Sequence, residues 1–184
     1  MKIYFIRHGE TNGNREHRYV GSTDESILKE SADVLKNKKM PYVHTVYVSP
    51  MKRCIETANI LYPESQYIIA EDLRECNFGD FEYCNYNELK GNKNYQLFID
   101  SLGECSFPNG ESKADFQKRC VREFEKILLS ESQDIALVVH GGTVMAILDK
   151  YSCPHKDYYN WQCKNGEGFI ANVKGSYLTD IKEI

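Results

Sequence analysis

The sequence predicts an α/β fold in three layers, an α/β/α sandwich with helices on both faces of a mainly parallel central sheet. Three observations lead there. Short strand-like runs alternate with longer stretches of helical spacing, as in successive β-α units. The runs are apolar throughout rather than at every second residue, Asp134-Ile135-Ala136-Leu137-Val138-Val139 most plainly, which suits strands covered on both faces. The chain has 184 residues, and at roughly 150 per domain it is expected to be one domain over 1–184.

Residues 2–7 are the first strand, an apolar run with β-branched and aromatic character closed by Gly9. Ile27, Leu28, Ser31, Ala32 and Leu35 recur at helical spacing and predict a helix over about 27–37. Thr45-Val46-Tyr47-Val48 is the second strand. Ser49 as N-cap and Pro50 in the first helical position then start a helix whose inward stripe is Ile55, Ala58 and Leu61. Tyr67-Ile68-Ile69-Ala70 is the third strand. From about 76 to 110 the pattern loosens into a polar segment rich in Asn, Gly and aromatic residues, predicted as a lid-like insertion with short helices. Phe116, Cys120, Phe124 and Leu128 recur every four residues and define a helix over about 111–129. The run at 134–139 is a buried strand, a helix follows over roughly 142–150, and strands at 168–173 and 177–181 close the chain.

Composition narrows the function. A formal net charge of -4 provides no basic field for nucleic acid or an anionic membrane. No apolar run approaches the ~18 residues of a membrane span, and Met1 leads straight into a strand, so neither a span nor a signal peptide is expected. The seven cysteines are odd in number and include no Cys-x-x-Cys pair, which argues against a disulfide framework and a zinc site. They are expected to be reduced thiols in a cytoplasmic protein.

Ligands of open α/β sheets bind beyond the carboxyl ends of the strands. The first strand runs into Arg7-His8-Gly9-Glu10-Thr11, the second into a helix whose first turn holds Lys52 and Arg53, and the strand at 134–139 into His140-Gly141-Gly142-Thr143. If these strands are neighbours, two histidines and two arginines converge. That set suits a tetrahedral oxyanion, above all a phosphoryl group, because guanidinium grips two oxygens and stays charged. Nearby arginines keep a histidine neutral and nucleophilic, and glycines after each histidine would let a ligand approach the backbone. An acid for the leaving group would follow the third strand: Glu75, with Glu71, Asp72, Asp80 and Glu82 as rivals that spacing does not separate. The aromatic residues of 78–107, with Tyr158, Tyr159 and Trp161, serve either as core and lid packing or as the wall of a pocket for a ring-bearing substrate.

Arg7-His8-Gly9-Glu10-Thr11 with Asn14 resembles the signature of the histidine phosphatase superfamily, in the branch that includes cofactor-dependent phosphoglycerate mutases. Further matches follow in the family's order: Ser49-Pro50-Met51-Lys52-Arg53 with Thr57-Ala58, Leu73-x-Glu75 with Phe78-Gly79, Pro108-Asn109-Gly110-Glu111-Ser112, and Val139-His140-Gly141-Gly142. The resemblance implies a phosphoglycerate mutase-like fold and a phosphohistidine formed on His8. It implies that Arg7, Arg53 and His140 bind the phosphoryl oxygens, with Asn14 and Gly141 as further contacts, and that Glu75 donates and then takes up a proton. It implies no metal and no cofactor. The chain departs from the family pattern where Asp80-Phe81-Glu82-Tyr83 replaces the frequent Trp-Glu-Gly, at Ser31 in place of a frequent glycine, and at Cys54 in place of alanine. The resembling mutases are longer and carry Arg-His-Tyr-Gly after the acid, where this chain has Cys76-Asn77-Phe78-Gly79. The expectation is therefore hydrolysis of a small phosphomonoester, with α-ribazole phosphate the nearest match. Mutase-type phosphoryl transfer and an idle phosphate-binding module are the alternatives.

Overall fold

The computed structural model describes residues 1–101 and 103–184. Its elements in chain order are β1 (Lys2–Arg7), α1 (Asn12–Arg15), α2 (Lys29–Lys36), β2 (Thr45–Val48), α3 (Lys52–Leu61), β3 (Gln66–Ile69), α4 (Lys93–Asp100), α5 (Lys113–Ser130), β4 (Ile135–Val139), α6 (Gly141–Tyr151), β5 (Gly168–Lys174) and β6 (Tyr177–Glu183). Short 3₁₀ turns lie at Glu71–Leu73, Gly79–Phe81 and Tyr158–Trp161. The sheet order is β3-β2-β4-β1-β5-β6. The first four are mutually parallel, while β5 and β6 extend the sheet antiparallel.

The strand pleat divides the core into two. Ile3 and Phe5 of β1 and Ile135, Leu137 and Val139 of β4 face one way, onto Phe116, Cys120 and Phe124 of α5 and Val144 and Ile147 of α6. Tyr4, Ile6, Ala136 and Val138 face the other way, onto Leu35 of α2 and Cys54 and Ala58 of α3. Alternate side chains of a strand point to opposite faces, so a run apolar at every position is what a sheet sandwiched between helices requires. β1 and β4 sit in the middle of the order and are almost fully buried. β3 is an edge strand, and Ile68 and Ile69 stay exposed there despite their apolar character.

One local expectation fails. Ser49 does not cap α3: the N-cap is Met51, without a side-chain hydrogen bond, and the helix begins at Lys52. A cap arrives from elsewhere in the chain, because Asp24 Oδ1 accepts the Lys52 N–H at 2.8 Å. No helix among the described residues is long and apolar enough to cross a membrane.

Candidate active site

β1 and β4 pair in parallel with Arg7 opposite Val139. The next residue of each strand is a histidine, so His8 and His140 leave the sheet together at its carboxyl edge. His8 N–H donates to the Val139 carbonyl at 2.9 Å. The two ring centroids lie 5.2 Å apart with the planes at 67°. β2 flanks β4 on its other side with Val48 opposite Val138, which places Ser49 beside His140. Ser49 Oγ lies 2.7 Å from His140 Nε2, and this contact is what takes the hydroxyl away from helix capping. Arg53, from the first turn of α3, is fully buried and donates its Nε–H to His140 Nδ1 at 3.3 Å. Three of its four Nη hydrogens go to the carbonyls of Thr23 at 2.7 Å, Gly21 at 2.9 Å and Val20 at 3.4 Å.

These contacts assign the protons. His8 Nδ1 lies 2.7 Å from the Gly9 carbonyl, which can only accept, so Nδ1 carries the hydrogen and Nε2 keeps its lone pair. At His140 the guanidinium can only donate, so Nδ1 is the acceptor and Nε2–H faces Ser49. Burial, then the Arg53 and Arg7 cations, hold His8 well below the usual imidazole range. Burial, Arg53 and the neighbouring His8 do the same for His140. Both rings are neutral near pH 7.

A cavity of about 570 Å³ is lined by Arg7, Glu75, Gly141 and Gly142, next in sequence or in space to the pair, while His8, His140 and Arg53 are buried behind it and do not line it. Arg7 donates from Nη1 to the Cys163 carbonyl at 2.8 Å, while its buried Nε has no partner among the described residues. A buried donor without an acceptor carries a desolvation penalty that an anion relieves. Glu75 accepts the Cys76 N–H on Oε1 at 2.9 Å and the Gly142 N–H on Oε2 at 3.2 Å, so its carboxylate sits in the first turn of the helix that begins after His140. Burial of the carboxyl raises its pKa, against the opposing pull of those two amides and of Arg53 and Arg7. The room beside Gly142 and Gly9 is taken by neighbouring side chains. A Cβ on Gly142 would lie 2.3 Å from Glu75 Oε1, and one on Gly9 would lie 2.8 Å from Ser31 Oγ. Ser31 thereby has a local task, accepting the Glu10 N–H at 2.8 Å.

The rival carboxylates are engaged elsewhere. Asp72 pairs with Arg122, Glu71 faces Arg74, Asp80 accepts from Asn109, and Glu82 accepts the N–H groups of Gly21 and Thr23. Asn14 stands apart from the Glu75 cavity. Its Oδ1 accepts from the Thr11 N–H at 3.2 Å and from Asn165 at 2.9 Å, and it lines a second cavity together with Arg7. The Glu75 cavity is also lined by the aromatic residues Tyr19, Phe78, Phe98, Phe107, Tyr158 and Tyr159. Trp161 is not part of that lining and packs on Phe169 in the core. Phe81 is fully buried, so the segment both fills core and lines the pocket. All seven cysteines are free.

Arg119 escaped sequence reading. On an amphipathic helix with charged neighbours it reads as a solvated cation, yet it forms a two-pronged pair with Glu111 at 2.7 and 2.8 Å. It also donates to the carbonyls of Asp72, Arg74 and Glu75 at 2.8, 2.8 and 2.9 Å. It thus holds the backbone that presents Glu75. Glu111 of the Pro-Asn-Gly-Glu-Ser run completes the clamp by accepting the Asn77 N–H at 2.8 Å.

The neutral rings predict a pH dependence of stability. Both folded-state values are depressed, so below about 6.5 the unfolded chain binds protons that the folded chain refuses, and stability falls with pH. Each histidine contributes at most about 1.4 kcal/mol per pH unit below that point. The raised Glu75 value acts with opposite sign, as one group against two. The thermal midpoint is expected to drop between pH 7 and pH 5, and to drop less with inorganic phosphate present. A flat midpoint over that range contradicts neutral buried histidines.

Residues 3–177 match the family model of the histidine phosphatase superfamily, branch 1. The chain is 25% identical to the adenosylcobalamin/alpha-ribazole phosphatase of Escherichia coli, over 97% of this chain and 93% of that one. It is 24% identical to the 2,3-bisphosphoglycerate-dependent phosphoglycerate mutase of Nautilia profundicola, over 80% and 82%. In fold it resembles the crystal structure of the alpha-ribazole phosphatase of Shigella flexneri, with a TM-score of 0.83 at 21% identity over 97% and 94% of the two chains. With the family model spanning nearly the whole sequence, the chain belongs to the histidine phosphatase superfamily, branch 1.

Proposed function

We propose that the protein hydrolyses a small phosphomonoester through a phosphohistidine on His8. The observation that carries this is the His8 tautomer: Nδ1–H is tied to the Gly9 carbonyl, which leaves a lone pair on Nε2 of a ring held neutral by burial and two cations. In the first step Nε2 attacks phosphorus and the bond to the ester oxygen breaks. The leaving oxygen takes the proton of Glu75, whose raised pKa suits an acid. In the second step Glu75, now a carboxylate, takes a proton from water as the water oxygen attacks phosphorus. The N–P bond breaks and releases phosphate. Arg7 and Arg53 offset the charge that gathers on the phosphoryl oxygens, with His140 beside them and Gly141 lining the cavity. Asn14, which lines a second cavity together with Arg7, is the further polar contact. Because side-chain cations supply this compensation, turnover is expected to continue in a chelator. The likeness to an alpha-ribazole phosphatase and the aromatic lining support a ring-bearing ester such as α-ribazole phosphate. The free thiols suit a reducing cytoplasm.

The acid assignment is tested with paired leaving groups. Glu75→Gln is expected to lower kcat/KM for alkyl phosphates by about 10²-fold or more and to change p-nitrophenyl phosphate far less, because a good leaving group needs little protonation. With alkyl substrates, wild-type activity is expected to decline as pH rises through the Glu75 value, and that decline should be absent in the variant. Equal losses on both substrates move the acid elsewhere. Phosphate binding without turnover of any phosphomonoester would indicate an idle module, and isomerisation of 3-phosphoglycerate with a bisphosphate primer would indicate a mutase.

A further inference from the structure

Glu82 has no part in the chemistry above, and its contacts give it another task. Its Oε1 accepts the N–H groups of Gly21 at 2.9 Å and Thr23 at 2.8 Å. The carbonyls of Val20, Gly21 and Thr23 meanwhile accept the Arg53 guanidinium. One peptide group does both: the Val20–Gly21 amide gives its N–H to Glu82 and its C=O to Arg53. A trans peptide points these groups in opposite directions, so the carboxylate on one side fixes the cation on the other. The packing is close, since a Cβ on Gly21 would lie 2.2 Å from the Cys76 carbonyl and 2.8 Å from Glu82 Oε2. That second oxygen is buried without a partner among the described residues, a cost that a carboxylate in mere surface duty would not carry. Beyond the turn, Asp24 caps the helix that bears Arg53. Arg53 then presents Nε–H to His140 Nδ1.

We propose that Glu82 is a positioning residue: it holds the Val20–Thr23 turn in the shape that aims Arg53 at His140 and so fixes the tautomer of that ring. The consequence for turnover rests on the roles given above to Arg53 and His140. The structural link does not.

The full chain with Glu82→Ala or Glu82→Gln is compared with wild type by kinetics on p-nitrophenyl phosphate and by ¹⁵N resonances of the imidazoles. Glu82→Ala is expected to lower kcat by about 10- to 10²-fold, the scale of a small misplacement of a catalytic group, with KM changed less. It should also lose the unprotonated Nδ1 signature of His140 while His8 keeps its Nδ1–H. Glu82→Gln retains an acceptor oxygen and is expected to restore most of both. An unchanged His140 signature in folded Glu82→Ala overturns the proposal, as does a glutamine variant as impaired as the alanine one. Loss confined to alkyl phosphates in Glu82→Gln also overturns it, because Glu82 would then be the acid. Should Glu82→Ala fail to fold, Glu82→Asp, which keeps the charge but shortens the reach, is read against the same signature. A wild-type protein inert to phosphomonoesters would defeat the functional reading alone, because the resonances are measured without turnover.

Discussion

His8→Ala is expected to reduce phosphomonoester turnover by about 10⁴-fold or more and to abolish covalent labelling by a phosphoryl donor. The loss is that large because no other group can take over. His140 sits 5.2 Å away ring to ring, but its Nδ1 faces the Arg53 guanidinium and its Nε2 faces Ser49. The buried thiol nearest to it, Cys54, is pushed up to about 12 by burial and is no nucleophile at working pH. Removing the buried ring also leaves a cavity and the Gly9 carbonyl without its donor, so the loss is read on protein whose thermal midpoint shows it folded. Inorganic phosphate should still raise the thermal midpoint of the variant through the arginines. Turnover near the wild-type rate in His8→Ala would require a different nucleophile.

Arg53→Ala is expected to lower kcat by about 10²–10³-fold, because it removes a buried positive charge that touches His140 and lies near His8. Two further effects separate this variant from simple unfolding. Arg53 is among the causes that depress both imidazole pKa values, so its removal should move the acid limb of the pH-rate profile upward. It also leaves the carbonyls of Val20, Gly21 and Thr23 without their donor, so stability should fall as well. Arg53→Lys restores the charge without the forked donors and should recover part of the rate but not the His140 contact. Phosphate affinity and rate unchanged in folded Arg53→Ala would remove the guanidinium from the chemistry.

β1 and β4, central in the sheet, were legible as unbroken apolar runs because pleat and burial leave only apolar choices there, whereas β3 and β6 at the edges are largely exposed. The juxtaposition of His8 and His140 was readable only conditionally, since it depends on β1 and β4 being neighbours, a long-range pairing that periodicity does not encode. Ser49 misled because Ser-Pro before a helix is a strong local capping signal, while its partner lies 91 residues on. Spacing alone did not separate Glu75 from Glu82, since both follow the third strand within a few residues; only the family resemblance favoured Glu75. The structure separates them by partners, Gly142 of α6 for one and the Val20–Thr23 turn for the other. Arg119 was invisible for the same reason, since its value lies in three carbonyls of a distant turn.

Rapid mixing with a phosphomonoester, an alkaline quench that preserves N–P bonds, and peptide mapping would locate the transferred group atom by atom. The expected product is one phosphoryl group on Nε2 of the eighth residue, formed and lost at rates matching turnover. A phosphoryl group on Nδ1 of that ring, on any other side chain, or absent during steady hydrolysis would contradict it.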